Sequence, residues 1–245
     1  MRRLAVLAMF LVAGCSSPGA TPIIVYVTPG APLGSQPASV ASQPPPAASP
    51  APSGAPQAPS AAPVAEFSPI ALSGSGAKVA RFSIPDGSAA IAKITASGSA
   101  DNFAVESLAA DGSQNDLLVN TIGAYSGTVL FDQNAGVHSV AFRITASGRW
   151  TIKIEPVTSA RSWDGTGTLS GKGDDVVAIS PPASGLTTIT ATHMGTANFV
   201  ITSYDSSGSN LLVNEIGHYS GQTTLPDGSF LLSINADGAW TITVD

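Results

Sequence analysis

The chain has a single cysteine, few charged residues and few aromatic residues among its 245 positions. Because one cysteine has no partner within the chain, an internal disulfide framework is excluded. Charged residues make up only 11% of the chain and the formal net charge is -6, so nucleic acid and anionic lipid surfaces are poor partners. After the first apolar segment no run approaches the roughly 20 residues of a transmembrane helix, and no segment shows a sustained helical period.

The sequence also lacks the motifs that mark common catalytic sites. It contains no G-x-S-x-G, P-loop or G-x-G-x-x-G motif, and no H-E-x-x-H or paired-cysteine signature. Three histidines in a serine-rich chain produce Ser, His and Asp combinations by chance. We therefore predict a protein that is not an enzyme and has no cofactor, and a hydrolase is only the third hypothesis.

Cys15 ends the first apolar segment of the chain. The apolar run over residues 4–14 is too short for a bilayer but has the length of a signal-peptide core. Small residues precede the cysteine in Leu11-Val12-Ala13-Gly14-Cys15. This junction resembles the lipobox of bacterial lipoproteins, and the resemblance implies that residues 1–14 are cleaved and that Cys15 carries a lipid. It predicts a cell-membrane protein, lipid-anchored and extracytoplasmic; the alternative is an ordinary secretory signal with an incidental cysteine.

Residues 15–66 consist mainly of Pro, Ala, Ser, Gly and Gln. Such a composition buries too little apolar surface to offset the entropy of ordering, which predicts a disordered, extended linker. One exception is Ile23-Ile24-Val25-Tyr26-Val27, which has the composition of a strand. Two interpretations stay open: an apolar patch in a disordered segment, or a strand that adds to a sheet edge.

Beyond the linker the sequence is duplicated. The segment from Leu117 to Gly127 recurs from Leu211 to Gly221. Shorter landmarks recur in the same order, namely Leu72-Ser73-Gly74 with Leu169-Ser170-Gly171, Ile94-Thr95-Ala96 with Ile189-Thr190-Ala191, and Trp150-Thr151-Ile152 with Trp240-Thr241-Ile242. A spacing of about 90 to 97 residues fits two small domains rather than a solenoid. We predict repeat 1 at residues 67–156 and repeat 2 at residues 161–245.

Each repeat has the period-two pattern of β-strands. Phe142 and Ile144 alternate with polar residues, and Phe230, Leu232 and Ile234 are predicted to face the core while Leu231 faces solvent. Turn clusters separate about seven or eight short strands in each repeat. The predicted fold class is all-β, with two tandem antiparallel β-sandwich domains of Ig-like or jelly-roll-like type.

The repeated module, with its final Gly-x-Trp-Thr-Ile strand, resembles small β-sandwiches appended to secreted bacterial proteins. These include pre-peptidase C-terminal-type domains and carbohydrate-binding jelly rolls. The resemblance implies a module that binds an envelope polysaccharide or protein. Repeat 1 lacks the acidic Ca²⁺ loop of those families, so their ligand residues are not transferred to this chain.

Asn120, Tyr125, Asn214 and Tyr219 occupy the Asn-x-x-Gly-x-Tyr element of the two repeats. In the structural interpretation each Asn bonds its own backbone, the glycine has a positive φ, and each Tyr packs inward with its hydroxyl on backbone. In the functional interpretation the same side chains bind a sugar. We favour the structural role, and carbohydrate binding through these loops is the second functional hypothesis.

Four residues raise the question of a metal site. Asp174 and Asp175 stand where repeat 1 has Ala77 and Lys78, and His193 and His218 occur only in repeat 2. Adjacent acids on a strand face opposite sides, so a solvated strand edge is the expected environment of the two aspartates. We predict no metal, and a surface-tethered, non-catalytic binding or envelope-interaction module.

Overall fold

The computed structural model describes residues 66–98 and 100–245. The predicted signal peptide, Cys15, the strand-like segment 23–27 and the linker up to residue 65 lie outside the described residues. Within the described part the regular structure is β-strand, apart from a 3-10 turn at Val157–Ser159, and this confirms the predicted all-β fold. No described helix is long and apolar enough to cross a membrane.

Repeat 1 forms two four-stranded sheets. Its strands are β1 (Ile70–Ser75), β2 (Lys78–Arg81), β3 (Ala90–Ser97), β4 (Asn102–Leu108), β5 (Gln114–Ile122), β6 (Tyr125–Phe131), β7 (Ala141–Thr145) and β8 (Arg149–Pro156). The order is β1-β8-β3-β6 in one sheet and β2-β7-β4-β5 in the other, with antiparallel neighbours throughout. Most connections cross from one sheet to the other, which is the arrangement of an eight-stranded jelly roll.

Repeat 2 has the same topology with one additional strand. Its strands are β9 (Arg161–Trp163), β10 (Thr168–Lys172), β11 (Asp175–Ile179), β12 (Thr187–His193), β13 (Asn198–Asp205), β14 (Gly208–Ile216), β15 (Tyr219–Leu225), β16 (Leu231–Ala236) and β17 (Ala239–Val244). The sheets run β10-β17-β12-β15 and β14-β13-β16-β11-β9. The extra strand, β9, lies parallel to β11 at the end of the second sheet.

The register of the strands defines which residues of the two repeats are equivalent. Ala96 and His193 each lie opposite the tryptophan of their own repeat. The predicted alignment of Ile94-Thr95-Ala96 with Ile189-Thr190-Ala191 is therefore wrong by two residues. A shift of two keeps every side chain on its face of the sheet, so the alternating pattern by itself cannot detect it.

Each repeat buries its own apolar core between its two sheets. The paired tryptophans lie in these cores, as predicted, and Trp150 and Trp240 are each only 1% exposed. A Cβ added to Gly74 or Gly171 would lie 2.4 Å or 2.3 Å from the Cζ2 atom of the tryptophan opposite. The Leu-Ser-Gly motif recurs because only glycine leaves room for the indole on the neighbouring strand.

A third apolar cluster joins the repeats. It consists of Ile91 and Leu130 from repeat 1 and Val176 and Leu231 from repeat 2, all buried. The prediction that Leu231 faces solvent and Phe230 the core is wrong, since Leu231 is 5% exposed and Phe230 is 44% exposed. Repeat 1 covers this outer sheet face of repeat 2, and a pattern within one repeat cannot reveal a cover supplied by another.

We predict that Trp150→Ala and Trp240→Ala each lower the free energy of unfolding by about 3–5 kcal/mol, the range for large aromatic side chains removed from a core. Each loss should be centred on its own repeat, because each ring belongs to the core of one repeat. Thermal melting gives the size of the loss, and hydrogen exchange of peptides from each repeat gives its location. Thr151→Ser, at an exposed neighbouring position, keeps the hydroxyl that bonds to Thr95, so it is the control and should change stability by less than about 0.5 kcal/mol. Equal loss of protection in both repeats would contradict separate folding units.

Candidate functional site

The connections from β5 to β6 and from β14 to β15 contain the glycines predicted to have positive φ. Gly123 has a φ of 89° and Gly217 a φ of 87°. Their N–H groups donate to the carbonyl oxygens of Asp101 at 2.9 Å and Ala197 at 2.8 Å. Glycine is required here because other residues rarely adopt this backbone conformation, so this part of the structural interpretation is confirmed.

The two asparagines do not take part in these turns. Asn120 lies within β5 and Asn214 within β14, and both side chains are exposed. Among the described residues neither side chain has a hydrogen-bond partner, so the prediction that they bond their own backbone is wrong. The strands continue for two more residues, to Ile122 and Ile216, before each turn begins.

Both tyrosine rings pack inward, in line with the structural interpretation. The ring of Tyr125 lies 6.0 Å from Phe103 and that of Tyr219 lies 5.8 Å from Phe199, measured between centroids. Asparagine and tyrosine of one repeat therefore do not form one exposed surface. A sugar at these loops would meet asparagine amides and the exposed Ile122 or Ile216 rather than an open aromatic ring.

The hydroxyl of Tyr125 bonds to repeat 2 instead of to local backbone. It donates to Asp174 Oδ2 at 2.5 Å, which corrects the predicted backbone partner. Asp174 Oδ1 accepts bonds from Asn235 Nδ2 at 3.0 Å and from the N–H of Ala236 at 2.9 Å. The N–H of Thr128 donates to the carbonyl oxygen of Asp174 at 3.0 Å. Donors from both repeats thus converge on one residue.

The prediction of a solvated strand edge for Asp174 is wrong, because this residue is only 8% exposed. Burial raises the pKa of the Asp174 carboxyl, and the hydrogen bonds from Tyr125, Ala236 and Asn235 oppose that rise. Burial, together with the nearby Asp174 charge, raises the pKa of Tyr125 strongly, so its hydroxyl remains a donor. The arrangement suits a structural contact, since both carboxylate oxygens of Asp174 accept hydrogen bonds from groups of the protein.

The contact between Tyr125 and Asp174 has no counterpart in which the two repeats exchange roles. The position in repeat 1 that corresponds to Asp174 holds Ala77, and within the described structure the hydroxyl of Tyr219 has no hydrogen-bond partner. The cross-strand pair Ile91 and Leu130, buried between the repeats, is replaced in repeat 2 by a pair of exposed threonines, Thr188 and Thr224. The face that receives a second repeat is therefore apolar in repeat 1 and polar in repeat 2.

The two histidines of repeat 2 lie in different environments. His193 is fully buried and stacked on Phe199 at 4.6 Å, with Nδ1 2.8 Å from the carbonyl oxygen of Gly217. Its Nε2 lies 3.2 Å from Asp237 Oδ1 without the geometry of a hydrogen bond. His218 is exposed. Among the residues that the structure describes, no three His, Cys, Asp or Glu side chains are grouped so as to hold a metal ion.

Burial raises the pKa of Asp237, but hydrogen bonds from the N–H groups of Thr196 and Ala197 outweigh burial and lower this pKa below its usual value. Asp175, the other predicted candidate ligand, pairs with Arg161 Nε at 2.7 Å. Both carboxylates therefore have protein partners.

The described part of repeat 1 includes a small cavity and an open groove. A cavity of about 10 Å³ lies beside Ala96, at the position where repeat 2 places the His193 ring. The second is an open groove between β1 and β2, bordered by Leu72, Ser73 and the segment Lys78–Arg81. The sequence pattern does not predict this groove, and the exchange of Lys78 for Asp175 between the repeats is the one signal of it.

Comparisons with known proteins add no assignment to this geometry. No protein-family model matches the chain, and no curated protein is significantly similar to it. The contacts and surfaces of the chain itself are therefore the basis for its function, and the resemblance of the repeats to secreted modules stays an expectation.

We predict that Tyr125→Phe destabilises the protein by about 1–3 kcal/mol, because it removes a donor from a buried carboxylate. Tyr219→Phe is a matched control in the other repeat, and its hydroxyl has no hydrogen-bond partner among the described residues, so we expect almost no change. Urea denaturation of the two variants and the unaltered chain measures the difference. Equal effects of the two substitutions would refute the role assigned to the Tyr125 hydroxyl.

We also predict a pH dependence that belongs to Asp174. Its pKa in the folded state lies above the unfolded value of about 3.9, so the folded state binds the proton more tightly. The stability that Asp174 contributes is fully present when the pH is below the unfolded pKa of about 3.9, and it is lost as the pH rises through the raised pKa of the folded state. The stability of the unaltered chain relative to Asp174→Asn should therefore fall as the pH rises above about 4. A difference that stays constant or grows would contradict the raised pKa.

Proposed function

We propose that the chain is a membrane-anchored surface lipoprotein whose two β-sandwich repeats act as a non-catalytic binding or envelope-interaction module. The lipobox-like junction at Cys15 supports the anchor. Residues 16–65, which contain no charged side chain, support a spacer between the anchor and the repeats. In this proposal the protein contacts the membrane through its lipid, and an envelope polysaccharide or protein through its repeats.

The direct contact between the repeats is the observation that carries the binding role. The described residues of both repeats belong to one compact unit, in which the repeats share a buried carboxylate and an apolar cluster. Burying a carboxylate is costly unless its bonds are satisfied. A pair of sandwiches held in this way presents the surfaces of both repeats at a fixed spacing, which favours recognition of a partner.

Both repeats also expose aliphatic side chains at equivalent positions of their outer strands. These side chains are Leu117 and Ile122 on β5 and Leu211 and Ile216 on β14, with exposed fractions between 45% and 78%. The strands β5 and β14 lie at the edges of their sheets. Exposed apolar groups at sheet edges are more useful for contact with another macromolecule than for catalysis.

The experiment that tests the anchor is Cys15→Ser, which should move the protein from the membrane fraction to the soluble fraction or the medium. The physical reason is that two or three acyl chains give lasting attachment, at about 0.8 kcal/mol per buried methylene, and the variant would have none. Ser17→Ala is the control and should leave membrane retention unchanged. Retention of the Cys15→Ser protein, or a mature N-terminus other than Cys15 by mass spectrometry, would refute the proposal.

A further inference from the structure

We propose that the open edge of β2 in repeat 1 binds an extended, acidic polypeptide segment of a partner protein by strand addition. This inference rests on the proposed function and names the class of partner for the binding module. The edges of the equivalent strands β2 and β11 differ between the repeats. One edge already holds an added strand, and the other does not.

The two edges belong to the equivalent strands β2 and β11. In repeat 2 the strand β9 adds to the outer side of β11 in parallel, with Arg161 opposite Val177 and Trp163 opposite Ile179. In repeat 1, β2 is the last strand of its sheet, and no described strand pairs with its outer side. Edge N–H and C=O groups left in this way are a template for another extended chain.

The groove beside β2 corresponds to the site that Arg161 fills in repeat 2. There the Arg161 guanidinium donates to the carbonyl oxygen of Ser170 at 3.0 Å, pairs with Asp175 and lies 5.4 Å from the centre of the Trp240 ring. The position that corresponds to Ser170 is Ser73, which borders the groove in repeat 1. Repeat 1 therefore has the cleft but not the side chain that fills it.

The charge at this site is reversed between the repeats. Asp175, the partner of Arg161, is replaced in repeat 1 by the exposed Lys78. Arg81 adds a second positive charge where repeat 2 has Ala178. Opposite charges on adjacent strands stabilise their pairing and like charges destabilise it. A strand added to β2 should therefore carry a carboxylate where β9 carries Arg161.

This requirement excludes the two nearest occupants. Residues 16–65 contain no Asp or Glu, so the strand-like segment 23–27 of the linker lacks the required charge. The β2 edge of a second copy would bring Lys78 and Arg81 against the same two positive charges, which is repulsive. A segment of another polypeptide with an acidic residue remains as the occupant, and main-chain bonds would hold it along the edge.

The test uses two peptides that copy residues 159–166, one unchanged and one carrying Arg161→Glu, added to the full mature chain. We expect the Arg161→Glu peptide to protect the amides of residues 78–81 from hydrogen exchange and to bind about threefold to tenfold more tightly than the unchanged peptide. The Lys78→Glu chain should reverse this preference. Lys172→Glu, at an exposed lysine of repeat 2, is the matched control and should leave the preference unchanged.

Three results would overturn the inference. The first is that neither peptide protects residues 78–81 at about 1 mM, a weak affinity. The second is that the peptides protect β11 instead. The third is that Lys78→Glu does not alter the preference for the Arg161→Glu peptide. None of these results affects membrane retention of the unaltered chain. Failure of the strand-addition site is therefore distinguishable from failure of the proposed anchor, which the Cys15→Ser experiment decides.

Discussion

The buried carboxylate of Asp174 is the constraint on which the arrangement of the repeats depends. A carboxylate removed from water must receive hydrogen bonds or become protonated. Its donors come from Tyr125 in repeat 1 and from Asn235 and Ala236 in repeat 2. Because these donors are directional, they fix one point of contact, and the aliphatic cluster around Ile91 and Leu130 excludes water beside it. Polar bonds supply the specificity of this contact and apolar burial supplies most of the driving force.

Local pattern predicted what each repeat does by itself. Period-two alternation indicated the strands, and the repeated Gly and Trp landmarks indicated a core in which an indole lies over a glycine. Several of the errors involve information that is not local. Leu231 and Asp174 are buried by the other repeat. The two-residue error in aligning β3 with β12 left the alternating pattern unchanged, so the pattern could not reveal the error. The order of strands, and thus the jelly roll among the sandwiches considered, depends on pairing that alternation does not encode.

The same reasoning explains why the candidate sugar-binding side chains separated. Asparagine and tyrosine are five residues apart in sequence, but a change of sheet lies between β5 and β6. The asparagines therefore remain on an outer strand while the tyrosine rings join the cores. A motif repeated in two copies indicates a shared fold requirement before it indicates a shared ligand, and the inward packing of both rings is such a requirement.

Where the repeats differ, the difference follows what covers each surface. The sheet face of repeat 1 that meets repeat 2 is apolar, whereas the equivalent face of repeat 2 carries the exposed Thr188 and Thr224. At the sheet edges it is repeat 2 whose surface is covered. The edge of β11 is paired with β9, and its Asp175 is paired with Arg161. The edge of β2 in repeat 1 is open and carries Lys78. In repeat 2 the chain itself supplies the strand that pairs with the β11 edge and the positive charge that pairs with Asp175. In repeat 1 the described residues supply neither, and in the proposal above an acidic segment of a partner supplies both.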